Sequence, residues 1–427
     1  MSEPVVLHKG IPGETVTNNS RKSQRFALAI VAAYLLLDPT ARADSVTDWN
    51  QKASEIVIAA KLPPPPGTRM LAIVQTAVYE AANAITRRYP QGELKLQAGA
   101  GASVDAAIAA ANHVTLAKLV PSQQAAIDSA YRVALAAIAD GPTKTEGIAV
   151  GEKAAEAVLA SHADDGADKA ESYRPSTAAG VYVPTVIPVA CVWPGRKPWL
   201  MPSPDQFRPG PPPKLTSEQW ARDYNEIKAF GGKNSTRRTA EQTAIARFWE
   251  TTQPSIYHAL LRSAASGPGR EITQNARLFA AASQALDDAY IAVFDAKYHY
   301  NFWRPITAIR NGDIDGNDAT ERDPSWTPLI DTPMHPEYPC AHCILSGAVG
   351  TLLQAEFSAG RMPTLTTTSP TADGAARSWT NVDDFTKEVA NARIYDGVHY
   401  RNSTEVGTAM GKKVGALAVE KYLRGGI

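Results

Sequence analysis

A chain of 427 residues with 43 basic and 43 acidic side chains carries no net field at neutral pH. Nothing global therefore draws it to nucleic acid or to an acidic surface, and any anion site must be a local cluster. Three cysteines in so long a chain do not make a disulfide framework.

The N-terminus has the pattern of an export signal: basic "SRKSQR", apolar "FALAIVAAYLLL", then "ARA" ending at Ala43. Residues 1–43 are expected to be a cleaved signal peptide, leaving a periplasmic or secreted protein. The apolar run is short of the roughly 20 residues a membrane span needs. No other segment has that character, so no stable membrane insertion is expected after cleavage.

From residue 44 to 163, alanine-rich stretches such as "MLAIVQTAVYEAANAI" and "SVDAAIAAANHVTLAKLV" have helical spacing and predict an N-terminal helical half. Between 164 and 215 the pattern fails in a run dense in Pro, Gly and aromatics. Proline excludes long helices there and the aromatics argue against disorder, which predicts an ordered connection. Helical spacing resumes over 216–427, beginning at "TSEQWARDYNEIKAFGG", where Thr216 or Ser217 would cap. Alternating strands are nearly absent, so the class is mainly α, a bundle of helices.

Three segments of that C-terminal half carry chemistry. "KYHYNFWRP" sets Lys297 and Arg304 seven residues apart, and Pro305 biases Arg304 towards an extended backbone. "HPEYPCAHC" leads into an apolar helix, which puts free N–H groups and a positive helix end at residues 340–342. "ARIYDGVHYRNST" places Arg393 six residues before His399, with Gly397 as a helix stop between them. A thioredoxin-like reading of Cys340 and Cys343 lacks its strand-to-helix setting, and a zinc site lacks a second Cys/His cluster. Two arginines and a lysine at a helix N-terminus instead form an anion cage. Two histidines add proton transfer and a nucleophile or metal ligand, the parts that phosphoryl chemistry needs.

Order and spacing here resemble the superfamily shared by vanadium-dependent haloperoxidases and type 2 phosphatidic acid phosphatases, whose pattern is K-x6-R-P, P-S-G-H and S-R-x5-H-x3-D. The first block is complete in Lys297, Arg304 and Pro305. The second keeps Pro339 and His342, with Cys340 for Ser and Ala341 for Gly; the third keeps Arg393 and His399, with Ala392 for Ser and Ser403 for Asp. The bacterial haloperoxidase branch looks nearest, over roughly residues 170 to 425. The resemblance implies a double helical bundle of the vanadium haloperoxidase / acid phosphatase type, with its site in the C-terminal bundle.

The same resemblance implies roles. His399 would ligate vanadium or become a phosphohistidine, and His342 would be the opposite acid–base. Lys297, Arg304 and Arg393 would hold the oxyanion together with residues Cys340 and Ala341, Lys297 also polarising bound peroxide. His335 either falls at a halide-side position, which points to bromide, or is a loop histidine hydrogen-bonded to backbone. Trp303 would wall the pocket or pack as a buried aromatic, and Ser403 would pair with His399 Nδ1. The implied reaction is oxidation of bromide or iodide by hydrogen peroxide at a histidine-bound vanadate. The alternatives are a phosphomonoesterase without a cofactor, and a non-catalytic oxyanion-binding or thiol redox-sensing protein built on Cys340 and Cys343. Within the resemblance the CxxC spacing is incidental. The departures at 340, 341 and 403 weigh against efficient peroxidase turnover, since a thiol is a weak donor and Ser403 lacks the carboxylate charge.

Overall fold

Helix starts are written into the sequence as caps and prolines. Asp44 accepts the Thr47 N–H at 2.8 Å and opens α1 (Ser45–Ala59). A proline run opens α2 (Pro64–Thr86), where the missing N–H groups would have had no helical partner. Ser103 caps α3 (Val104–Leu119), and α4 (Gln124–Ala136) and α5 (Pro142–Ser161) follow. In this computed structural model residues 44–425 are described, apart from 93, 100, 359 and 361. The expected signal peptide at 1–43 lies outside the described residues.

Ser217 caps α6 (Glu218–Gly231), and a reciprocal Thr239–Gln242 capping box starts α7 (Ala240–Phe248). After α8 (Pro254–Ala265) comes α9 (Ile272–Tyr300), whose 29 residues make a rod of about 43 Å. Its middle is buried on every side and packs against α2, α11 (Ala341–Glu356) and α13 (Arg401–Ala418); α10 (Pro305–Arg310) follows it in the chain, and α12 (Val382–Tyr395) packs on α11 and α13. The architecture is mainly α, as the periodicity predicts.

The Pro-rich stretch 164–215 runs along α9 and is tied to that helix's acidic residues. Arg196 reaches Asp287 at 2.6 and 3.0 Å and Asp165 at 2.6 Å, with all three side chains buried. Asp288 accepts the N–H groups of Trp199, Leu200 and Met201 at 2.7, 2.8 and 2.9 Å, and Arg208 grips Asp295 through two nitrogens. One element departs from the helical reading. Strands β1 (Leu365–Thr368) and β2 (Ala376–Trp379) pair antiparallel, with Leu365 opposite Trp379, and β1 seats on α8 through Thr367 Oγ1 and Ile256 O. Four residues per strand are too few for alternation to show in the sequence.

Two contacts position the site. A Cβ on Gly411 of α13 would collide with Ile344 O of α11, so only glycine lets these helices lie this close. That packing brings the start of α11, with His342, beside the start of α13, with His399. Gly397, at φ +87°, ends α12 as the sequence predicts and turns the chain back towards Arg393, whose carbonyl accepts the His399 N–H at 3.0 Å.

Candidate active site

Lys297 lies in the last turn of α9 and is fully buried; its Nζ donates to Pro336 O at 2.9 Å and Glu337 O at 2.7 Å. Arg304 has the extended backbone that Pro305 dictates, φ −79° and ψ 154°. Its Nε donates to His335 O at 2.8 Å, Nη1 to Val398 O at 2.9 Å, and Nη2 lies 2.9 Å from His335 Nδ1. Arg393, on α12, donates from Nη1 to Trp249 O at 2.6 Å and lies 2.7 Å from Asp396 Oδ2. That ion pair is not an aligned hydrogen bond, because Oδ2 is left without a donor, and Arg393 Nε and Nη2 have no partner. Burial holds all three cations below their ordinary range, and for Lys297 the neighbouring Arg304 and Arg393 add to it.

His399 is held from two sides. Nδ1 lies 2.7 Å from Glu337 Oε1 and 3.3 Å from Ser403 Oγ, while Nε2 faces Arg304 Nη1 at 3.3 Å. A carboxylate on one nitrogen and a guanidinium N–H on the other assign the proton to Nδ1 and the lone pair to Nε2. His342, in the first turn of α11, has a buried Nε2 with no partner. Burial keeps both imidazoles neutral, well below the usual histidine range. It pushes the Glu337 carboxyl up to about 7, against the pull of Lys297 and Arg304.

The family model described as "VCPO second helical-bundle domain" matches residues 277–425, the stretch that holds Lys297, Arg304, Glu337, His342, Arg393 and His399. The vanadium chloroperoxidase of Curvularia inaequalis is 28% identical over 193 residues, which are 38% of this chain and 31% of that protein. The chain thus matches about a third of that relative's length. In its motifs and over residues 277–425 the chain is similar to the vanadium haloperoxidase / type 2 phosphatidic acid phosphatase superfamily. Among solved structures, a bacterial vanadium-dependent iodoperoxidase shares the fold with a TM-score of 0.74 at 23% identity, over 88% of this chain and 96% of that one. An apo bacterial vanadium-dependent chloroperoxidase follows with a TM-score of 0.67 at 16% identity, over 84% and 93%.

The structure brings Lys297, Arg304, Arg393, His342, His399, His335 and Ser403 to one place between α9, α11, α12 and α13. His335 is buried against Arg304, with Phe294 edge-on at 5.2 Å. Trp303 is 1% exposed and stacks on Trp220, in an aromatic layer with Tyr400 and Phe302. Ala341 has ordinary helical backbone, and the first turn of α11 leaves N–H groups outside the helical ladder.

Position 340 needs a correction. Cys340 is bonded to Cys343 as a disulfide, so the CxxC spacing is not incidental and Cys340 has no S–H to offer an oxyanion. Its Sγ accepts the Cys343 N–H at 3.3 Å as the cap of α11, and its own N–H goes to Ser403 O at 3.2 Å. Sequence reasoning missed two carboxylates, Glu337 and Asp396. The available signal for Glu337 was an acidic residue inside the otherwise apolar, proline-bounded "HPEYPC".

The residues present fit a tetrahedral or five-coordinate oxyanion such as vanadate. Arg393 Nε and Nη2 and His342 Nε2 are buried and unspent. His399 offers a lone pair beside three cations. Among the described residues no cluster of three His, Cys, Asp or Glu is poised to hold a bare metal cation.

Proposed function

We propose that the chain is a vanadium-dependent haloperoxidase that oxidises bromide or iodide with hydrogen peroxide. One observation carries this reading: a neutral His399 with its Nδ1 on a carboxylate and its Nε2 lone pair turned into a cage of three buried cations. Lys297, Arg304, Arg393 and the Ala341 N–H would hold vanadate oxygens, and His399 Nε2 would ligate the vanadium. Bound vanadate supplies the Lewis acidity that makes peroxide oxygen electrophilic towards halide.

This chain's residues do the rest. His342 Nε2, neutral and unspent, takes a proton from arriving peroxide and returns it to the departing oxygen. Lys297 stabilises negative charge that develops on oxygen, in a site where burial strengthens its field. His335, between Arg304 and Phe294, is the halide-side residue. The iodoperoxidase among the similar structures supports a readily oxidised halide. The N-terminal signal pattern supports a periplasmic or secreted location, and no helix among the described residues is long and apolar enough to cross a membrane.

The test is to load the purified protein with orthovanadate and assay bromide and iodide oxidation by peroxide beside aryl phosphate hydrolysis. Vanadate-dependent halide oxidation that vanishes in His399→Ala is the expected result. Phosphate hydrolysis without halide oxidation would move the assignment to a phosphomonoesterase working through the same histidine. The disulfide is the observation that would favour a thiol-redox protein, but Cys340 and Cys343 are both 0% exposed, out of reach of an exchanging thiol.

A further inference from the structure

We infer that Glu337 is the positioning carboxylate of His399, and that this chain has moved that charge from residue 403 to the loop before α11. The superfamily pattern puts the acid four residues after the histidine, where this chain has Ser403. Ser403 Oγ still lies 3.3 Å from His399 Nδ1, but a hydroxyl carries no charge. Glu337 Oε1 approaches the same nitrogen more closely, at 2.7 Å, and also accepts the Tyr400 N–H at 3.1 Å. Both Glu337 and Ser403 are buried, so an aspartate at 403 beside Glu337 would set two carboxylates together without solvent. The two sites are therefore alternatives, and a residue without charge at 403 is what Glu337 requires.

Glu337 is also well fixed. Its N–H donates to Phe302 O at 2.9 Å and its carbonyl accepts from Lys297 Nζ at 2.7 Å. One residue thus locks the histidine through its side chain and the cage lysine through its main chain. A carboxylate on Nδ1 fixes ring orientation and tautomer and raises the basicity of Nε2, as outer partners of ligating histidines do. This rests on the function proposed above, since it assigns Glu337 a part in readying His399 for a ligand.

The test compares wild type, Glu337→Gln, Ser403→Ala and the transposed pair Glu337→Gln/Ser403→Asp. Orthovanadate and inorganic phosphate binding are measured by calorimetry, with far-UV circular dichroism as the control for folding. Glu337→Gln is expected to lose about tenfold or more in orthovanadate affinity, and the transposed pair to regain most of it. Ser403→Ala should stay within about threefold of wild type, the scale of one neutral hydrogen bond. A folded Glu337→Gln that binds like wild type, or a transposed pair with no recovery, overturns the inference. If Glu337→Gln does not fold, the transposed pair decides alone: folded with near-wild-type binding supports the inference, folded without binding overturns it. A wild type that binds neither anion would sink the proposed function. The ¹⁵N shifts of His399 then still decide the inference, since a proton on Nδ1 agrees with it and a proton on Nε2 overturns it.

Discussion

At position 340 the superfamily serine would accept an N–H and give a hydroxyl proton to the oxyanion. Cys340 does the first and, bonded to Cys343, has no proton for the second. Serine is among the best N-cap residues, so Cys340→Ser should keep the start of α11 while freeing a donor. Orthovanadate affinity is expected to rise by about tenfold, one charge-assisted hydrogen bond. Thiol titration in denaturant should rise from the single Cys191 to Cys191 plus Cys343. Unchanged affinity with the second thiol present would show that residue 340 does not face the anion. At this scale the sequence was legible wherever chemistry repeats at fixed spacing, which covers Lys297, Arg304, Arg393, His342 and His399. It was not legible where the partner comes from another element: Glu337 is 62 residues from His399 along the chain, and only the approach of two loops makes them neighbours. The disulfide was hidden for a similar reason, because a spacing of three says nothing of the 5.3 Å Cα separation that closes the bond.

Among the elements, α9 carries three acids inward: Asp287, Asp288 and Asp295 are buried as anchors for the Pro-rich connection. Arg196→Leu would leave Asp287 buried without its counter-charge, at a cost of roughly 3–5 kcal/mol. A lowered unfolding midpoint is expected, with new proteolytic cuts between residues 164 and 215; cuts elsewhere would mean that Arg196 does not hold this segment. The α1–α8 contact has a different sensitivity. His258 is 0% exposed, its Nδ1 lies 2.7 Å from Asn50 Nδ2, and burial holds its pKa at about 3, down from 6.5. The unfolded chain therefore takes up this proton first. Stability is lost as pH falls from about 6.5 towards 3, by up to about 1.4 kcal/mol per pH unit, and the loss levels off below that. His162, held at about 4 by burial, adds to the slope in the same direction. His258→Gln should flatten the dependence of the urea midpoint between pH 7 and 4.5 relative to wild type. An unaltered slope would assign the acid sensitivity to other groups.

Across the whole molecule, three cations arrive from three elements: Lys297 from the end of α9, Arg304 from the start of α10 and Arg393 from α12. Close helix packing holds them together although burial and mutual repulsion oppose their charge. An oxyanion in the cage relieves that opposition, and because it binds only the folded chain it stabilises the whole fold. At a hundred times its dissociation constant the increment is about 2.7 kcal/mol. Orthovanadate and phosphate should both raise the melting temperature by several degrees, and Lys297→Met should lose most of the gain from either. His399→Ala separates the two anions. Phosphate at equilibrium meets this histidine chiefly as a hydrogen-bonding neighbour, whereas vanadium would bond directly to Nε2, which in this protein holds its lone pair towards the cage. The variant should therefore cut the vanadate increment far more than the phosphate increment. Equal reductions would mean that His399 contributes to both anions in the same way, and would remove the support for a vanadium ligand at this position.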